Sequence, residues 1–373
     1  MAVWTEPDFN PEPYLEKLEA LVDVEHVLAA EARQAAAWRF EPLDQRPTIV
    51  TVRDDWRHVQ HDSPPAWPRI PYSQTFHDPA KMLISELTRA YEGALLKDDR
   101  AYTIRANYGL VLLPSMVGCH VSQDEDNMPW AQPVEDVGAL EKILDRGLPD
   151  MHSGIAGRVW ETEDYFRETL ARYPRLRQVV RIGCPDAQGP FNTAVNIAGA
   201  NVYYWVMERP ELVHRLMQFA TDLYVAVVRY HQQRVNEPPG IGYSFSYRIQ
   251  GSGRLSEDSA VMLSGNMYTQ FVKPYNILAC QATQGAMAHF CGKGDHFFEH
   301  LVTTPGITAV NFGNPELQDF TARYTLASEN RVCLLWDGDL PKAFGHVTTG
   351  VVHKRVARTW AEAEALAAES RRA

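Results

Sequence analysis

Cysteine is scarce in this chain: five residues, Cys119, Cys184, Cys280, Cys291 and Cys333, are scattered over 373. An odd, dispersed count offers no disulfide framework and fits a reducing, cytoplasmic setting. No Cys-x-x-Cys pair occurs, so no ready-made zinc or redox motif is present. Long apolar runs are also missing. The longest, near residues 109–118 and 197–207, fall short of the ~20 residues a membrane helix needs. Residues 1–13 carry three acids, several prolines and no apolar segment, so a signal peptide is not expected. Lys and Arg number 36 against 47 Asp and Glu, a formal net charge of −11. Without a basic surplus to neutralise phosphates, a nucleic-acid partner is not expected. There is no Gly-x-Gly-x-x-Gly after a first strand and no Walker loop, which removes the usual grounds for a nucleotide-binding open sheet.

What is present is ordinary globular composition, 45% hydrophobic and 22% charged, patterned as alternating strands and helices. Apolar spacing predicts helices within residues 16–38, 79–96, 136–172, 192–234, 266–284, 295–302 and 359–370. Short β-branched or apolar runs predict strands at 47–53, within 103–118, and at 178–183, 240–248, 285–291, 307–312, 331–336 and 351–356. About eight strands separated mostly by helical sequence imply a parallel α/β sheet closed into a barrel. The expected architecture is a single (β/α)8 TIM barrel over residues 46–373, with an N-terminal helical extension over residues 1–45. An open doubly wound sheet is the runner-up.

In a barrel the chemistry lies where the strands end. His289-Phe290-Cys291-Gly292 closes one predicted strand. Residues i and i+2 of a strand share a face, so His289 and Cys291 can set an imidazole and a thiolate side by side. That donor pair suits Zn²⁺, which needs two or more further ligands. Core packing of one His near one Cys is the competing explanation.

These residues, with the helix after them and Gly306-Ile-Thr-Ala-Val310, resemble the metal segment of the uroporphyrinogen decarboxylase superfamily. The likeness is closest to its zinc-dependent methyltransferase branch, which moves methyl groups between corrinoid proteins and thiols such as coenzyme M. Ser256-Glu-Asp-Ser-Ala-Val-Met-Leu-Ser264 followed by Met267-Tyr-Thr-Gln-Phe-Val-Lys-Pro-Tyr275 is similar to the family's segment after the fourth strand. Ile182-Gly-Cys-Pro-Asp-Ala-Gln-Gly-Pro190 with Met207-Glu-Arg-Pro-Glu211 resembles the third-strand region, and Trp336-Asp-Gly-Asp-Leu-Pro341 the seventh-strand turn. The resemblance spans roughly residues 45–370 and implies a TIM barrel, zinc, and a methylated corrinoid on a partner protein. Two departures stand out. The decarboxylase's Gly-Arg loop after the first strand is absent, and the sequence there reads Thr51-Val-Arg-Asp-Asp-Trp56. The methyltransferases' last-strand Cys-Gly is absent too, since Gly350-Val-Val-His-Lys-Arg355 contains no cysteine. The third ligand is therefore open among His353, Cys333 and the pair Cys119-His120.

Arg53, Arg105, Arg181 and Arg248 lie in or beside predicted strands. An arginine inside a barrel needs a partner, and an anionic substrate is one source of it. Internal salt bridges, for example to Asp186 or Asp258, are the other. Tyr243-Ser-Phe-Ser-Tyr247 on one strand would set Tyr243, Phe245 and Tyr247 on a common wall suited to a flat ligand. Asp186, Asp258 and Asp337 follow predicted strands and are candidate acid/base groups, or helix caps. Gly251-Ser-Gly-Arg254 lacks the P-loop Lys and reads as a flexible lid. Lys97-Asp-Asp-Arg100 reads as a solvated helix end.

The expected function is a zinc-dependent methyltransferase that activates a thiol or similar soft nucleophile, using a corrinoid protein as donor. Two alternatives stand beside it. One is a metal-free decarboxylase or lyase of an acidic small molecule, and the other is a non-catalytic ligand- or metal-binding barrel. A homodimer is expected because the outer helices of such barrels often pair.

Overall fold

The computed structural model of the chain describes residues 9–52, 67–124 and 126–371. Arg53 lies outside the described residues. Eight strands run parallel in two hydrogen-bonded sets. They are β1 (Thr48–Val52), β2 (Tyr102–Ile104), β3 (Val180–Ile182), β4 (Gly253–Ser256), β5 (Ala286–Phe290), β6 (Ile307–Phe312), β7 (Cys333–Asp337) and β8 (Val351–Ala357). Six form a sheet in the order β1-β8-β7-β6-β5-β4, and β2 pairs with β3. The closed barrel expected from the strand count is thus met in part: parallel strands alternate with helices, but the ladder is open at the β1/β2 and β3/β4 seams.

Side chains occupy the first seam. Asp98 Oδ2 accepts from the Val50 amide at 2.8 Å and Asp99 Oδ2 from the Thr48 amide at 2.9 Å. The Arg100 guanidinium donates to the Val50 carbonyl and is bound by Asp98 at 2.8 Å and Glu92 at 2.8 Å. These three residues are buried, which corrects their expected solvated position. Each supplies β1 with the partner a neighbouring strand would otherwise give.

The second seam is lined by an antiparallel hairpin, Ile241–Ser244 with Tyr247–Gln250. Residues 240–248 were expected to form one straight strand, but Phe245 and Ser246 adopt left-handed φ values of 49° and 74° and reverse the chain. Such a turn usually takes Asn or Gly. Here Ser246 is held by three bonds, from its amide to Thr103 Oγ1 and to its carbonyl from Ala101 and Gln34. The turn also breaks the expected aromatic wall, because Tyr243 now pairs with Arg248 and Ser244 with Tyr247. The parallel fourth strand begins later, inside the segment expected to be a lid. Gly251 (φ +87°) lies so close to Gly285 that a Cβ would collide with the Gly285 backbone. A glycine there allows β4 to start tight against β5.

The run within 103–118 differs as well: only Tyr102–Ile104 is strand, and residues 109–116 turn helical. Of two helices near the N-terminus, α1 (Glu12–Leu21) packs against the helix Thr88–Leu96 and α2 (Val24–Trp38) packs against β8 and the Tyr247–Gln250 strand, with Trp38 buried at its end. The longest helix, Pro210–Val235, buries Leu212, Val213, Leu216, Met217, Ala220 and Leu223 on one stripe, as an amphipathic outer helix must. Among the described residues no helix is long and apolar enough to cross a membrane.

Two apolar layers result from the period-2 alternation of the strands. One face packs under the helices. The other forms an inner cluster of Trp38, Ile49, Tyr247, Ile249, Met287, Ala309, Cys333, Leu335 and Val352.

Candidate functional site

β5 is anchored through Phe290. Its ring is fully buried against Phe297 at 5.0 Å, Phe312 at 5.3 Å and Phe298 at 6.4 Å. Strand alternation then sends His289 and Cys291 to the opposite, inner side, one step beyond Met287. There they meet Asp258, two residues past the end of β4. The ligand atoms of Asp258, His289 and Cys291 lie within 4.8 Å of one another, and the thiol is exposed. Cys291 Sγ is 3.6 Å from His289 Nε2, and His289 Nε2 is 3.7 Å from Asp258 Oδ1. The Cys291 amide donates to Asp258 Oδ1 at 2.7 Å, tying the carboxylate to the strand end.

Neighbouring groups shape the cluster further. His289 Nδ1 contacts Asn311 Oδ1 of β6 at 2.7 Å. The Gly292 amide, with φ +85°, donates to Asn314 Oδ1 at 3.0 Å and turns the chain away. Gly313 leaves room for the thiol, since a Cβ at that position would overlap Cys291 Sγ. Although Cys291 opens to solvent on one side, its partial burial, followed by the charge and hydrogen bonding of Asp258, pushes the thiol up to about 12. Burial, followed by the Arg254 guanidinium, lowers the His289 pKa and keeps the imidazole neutral.

Zinc is the metal the sequence reading implies, and the donor set matches its preferences for nitrogen, sulfur and carboxylate oxygen. Tetrahedral bonds of about 2.3 Å to sulfur and 2.0–2.1 Å to nitrogen place those two atoms about 3.6 Å apart, as Sγ and Nε2 are here. A nitrogen–oxygen edge would be about 3.3 Å, slightly shorter than the 3.7 Å observed. Three protein donors with one solvent-facing side leave a position for an exogenous ligand.

The other expected ligands are elsewhere. His353 pairs across with Trp336 and faces the helices, its Nε2–H donating to the Gly338 carbonyl at 2.6 Å. Its neighbour Val352 takes the inner side, so a one-residue offset in the pleat keeps His353 out of the cluster. Burial lowers its pKa to about 4. Cys333 does face inward, but it pairs with Ala309, level with Met287 and below His289. Its thiol is buried and contacts the Leu334 carbonyl at 3.8 Å. Cys119 is buried against the Ile197 carbonyl at 3.9 Å.

The arginines divide in the same way. Arg181 is held by Glu31 of α2 at 3.3 Å, and Glu31 also accepts from the Tyr243 hydroxyl at 3.1 Å. Arg248 contributes its backbone amide to Gln34 and is not among the residues lining the cleft around Asp186. Tyr247 is buried in the inner apolar layer. Arg105 does reach this narrow cleft, which Asp186, Arg254, Tyr243 and Ser244 also line. Asp186 bridges Arg105 at 2.8 Å and Arg254 at 2.5 Å. Both guanidinium groups stack on Phe245, 4.4 and 4.8 Å from its centroid. Burial raises the Asp186 pKa, but Arg254 and Arg105 outweigh it and leave the group below its usual range. Asp337 ends β7 in an ion pair with Lys354 at 2.5 Å.

Sequence reasoning missed Arg254, which was placed in a lid, and Asn311. The signal for Asn311 was an amide two places after Ala309, on the same strand face, in a mostly apolar strand. Asp258 was found, but as an acid/base group rather than a ligand.

No family model and no curated protein sequence matches the chain. Among solved structures it is similar to a methyltransferase from Methanosarcina mazei, with a TM-score of 0.60. The two share a fold. The match covers 92% of this chain and 98% of that one at 14% identity, so the likeness concerns architecture.

Proposed function

We propose that the protein is a zinc-dependent methyltransferase of the uroporphyrinogen decarboxylase superfamily, with Asp258, His289 and Cys291 holding the metal. The convergence of these three side chains at the ends of β4 and β5 carries the reading. Its electrostatics support it: a carboxylate raises the pKa of an adjacent thiol while the imidazole stays neutral. A divalent cation would relieve that repulsion and convert the thiol to a thiolate ligand. When bound, zinc would lower the pKa of a substrate thiol and so supply a nucleophile at neutral pH. The chain's own residues do the rest. Asp258 is oriented by the Cys291 amide, and Gly313 admits the thiol. Arg105 and Arg254 share Asp186, and Glu86 also lies beside Arg105; these two guanidinium groups are the ones proposed to turn toward an anionic group of the substrate. The methyl donor proposed is a corrinoid on a partner protein.

Elemental analysis of the purified protein is the first test. The expected result is about one zinc per chain, lost in folded His289→Ala and Cys291→Ala, weakened in Asp258→Ala and kept in His353→Ala and Cys333→Ala. Metal-free wild type with an unchanged fold would sink the proposal. Methyl transfer from a methylcorrinoid to thiols is then followed by the corrinoid spectrum. Zinc without any transfer would point to the non-catalytic metal-binding alternative. The metal-free lyase reading is weaker, because Asp186, as its proton donor, is held in the carboxylate form by two arginines.

A further inference from the structure

Asn311 sits where two demands meet. On one side its Oδ1 is 2.7 Å from His289 Nδ1. On the other its Nδ2 donates to the Leu335 carbonyl of β7 at 3.3 Å. A carbonyl only accepts, so the amide nitrogen must face Leu335 and the amide oxygen must face the imidazole. That oxygen can only accept, so Nδ1 must carry the ring proton. The Nε2 lone pair is then left pointing at Cys291 Sγ and Asp258, 3.6 and 3.7 Å away.

We propose that Asn311 is a positioning residue that fixes His289 as the Nδ1–H tautomer, with Nε2 presented to the Asp258–Cys291 cluster before any ligand arrives. This rests on the metal reading only for its purpose, since the tautomer is a property of the metal-free protein. An amide suits the place because it accepts on one side and donates on the other. Aspartate could accept from Nδ1–H but would set a carboxylate against the Leu335 carbonyl, and leucine could do neither. Ligating histidines generally depend on such a partner, whose loss costs about 10–100-fold in metal affinity.

The test uses the full chain with ¹⁵N-labelled histidine, metal-free, with His289 assigned by comparison with His289→Gln. Ring nitrogen shifts are read for wild type, Asn311→Leu and Asn311→Asp, and zinc affinity is measured by chelator competition. The expected result is one Nδ1–H tautomer in wild type, a mixture in N311L, and restoration of Nδ1–H in N311D. Zinc binding should weaken about 10–100-fold in N311L. An Nε2–H tautomer in wild type overturns the proposal whether or not the variants fold. Identical tautomers in N311L and wild type overturn it too. If wild type takes up no zinc, the metal reading falls, while the tautomer comparison still decides the role of Asn311.

Discussion

Replacing Asp98 with alanine should destabilise the protein far more than a surface acid would. Asp98 receives Arg100 through Nε at 2.9 Å and through the terminal nitrogen at 2.8 Å, and it caps the Val50 amide at 2.8 Å. Asp98→Ala leaves a guanidinium that is 2% exposed with Glu92 as its remaining carboxylate and strips one amide of β1. Removing one partner of a buried pair costs about 3–5 kcal/mol. An unfolding entropy of roughly 2.1 cal/mol/K per residue, taken over 373 residues, converts that to a Tm lower by about 4–6 °C. The control is Asp145→Ala, which breaks an exposed 2.8 Å pair with Arg215. Such pairs are worth about 0–1 kcal/mol, or at most about 1 °C here. Scanning calorimetry on both variants and wild type measures the difference. A D98A Tm within about 1 °C of the D145A value would refute the view that side chains hold the β1/β2 seam.

Further outcomes follow from the site. Gly313→Ala should displace the Cys291 thiol and weaken zinc binding in protein that stays folded, measured by chelator competition with calorimetry as the check on folding. Phe290→Ala should cost about 3–5 kcal/mol and lower zinc occupancy in the fraction that stays folded, because one strand bears both. Zinc binding should release about one proton at pH 7.5, since the Cys291 thiol is protonated without metal and His289 is already neutral. Affinity therefore rises with pH, roughly tenfold per unit. Isothermal calorimetry in buffers of different ionisation enthalpy reads this, and zero proton release would mean that Cys291 is not a ligand.

Much of the architecture was legible because period and composition agree. β5 and β6 are largely apolar runs bounded by glycines, and their face alternation follows from spacing alone. The His289–Cys291 pairing was readable for the same reason. What escaped depends on register between distant segments. Nothing near Val351–Ala357 reveals that Val352 rather than His353 faces inward; that is set by pairing with β1 and β7. Phe245-Ser246 carries no turn signature, because distant bonds from Thr103, Ala101 and Gln34 hold the left-handed backbone. Gly251-Ser-Gly-Arg254 looks like a loop by composition, while its glycines serve close packing against Gly285. Three charged residues at 98–100 look solvated until the open edge of β1 is known. Arg181 looks like a ligand contact until Glu31 of α2 comes to meet it.

The side-chain seam between β1 and β2 makes that join unusually particular about sequence. A backbone ladder tolerates almost any residue, because its bonds belong to the main chain. Here the join belongs to Asp98, Asp99 and Arg100 in register with Thr48 and Val50. Inserting or deleting one residue before β2 would misplace both carboxylates at once. A transplanted first strand would dock only if these acids came with it. Anyone permuting or grafting this scaffold should therefore cut elsewhere and carry residues 98–100 along with Thr48–Val52 as a unit.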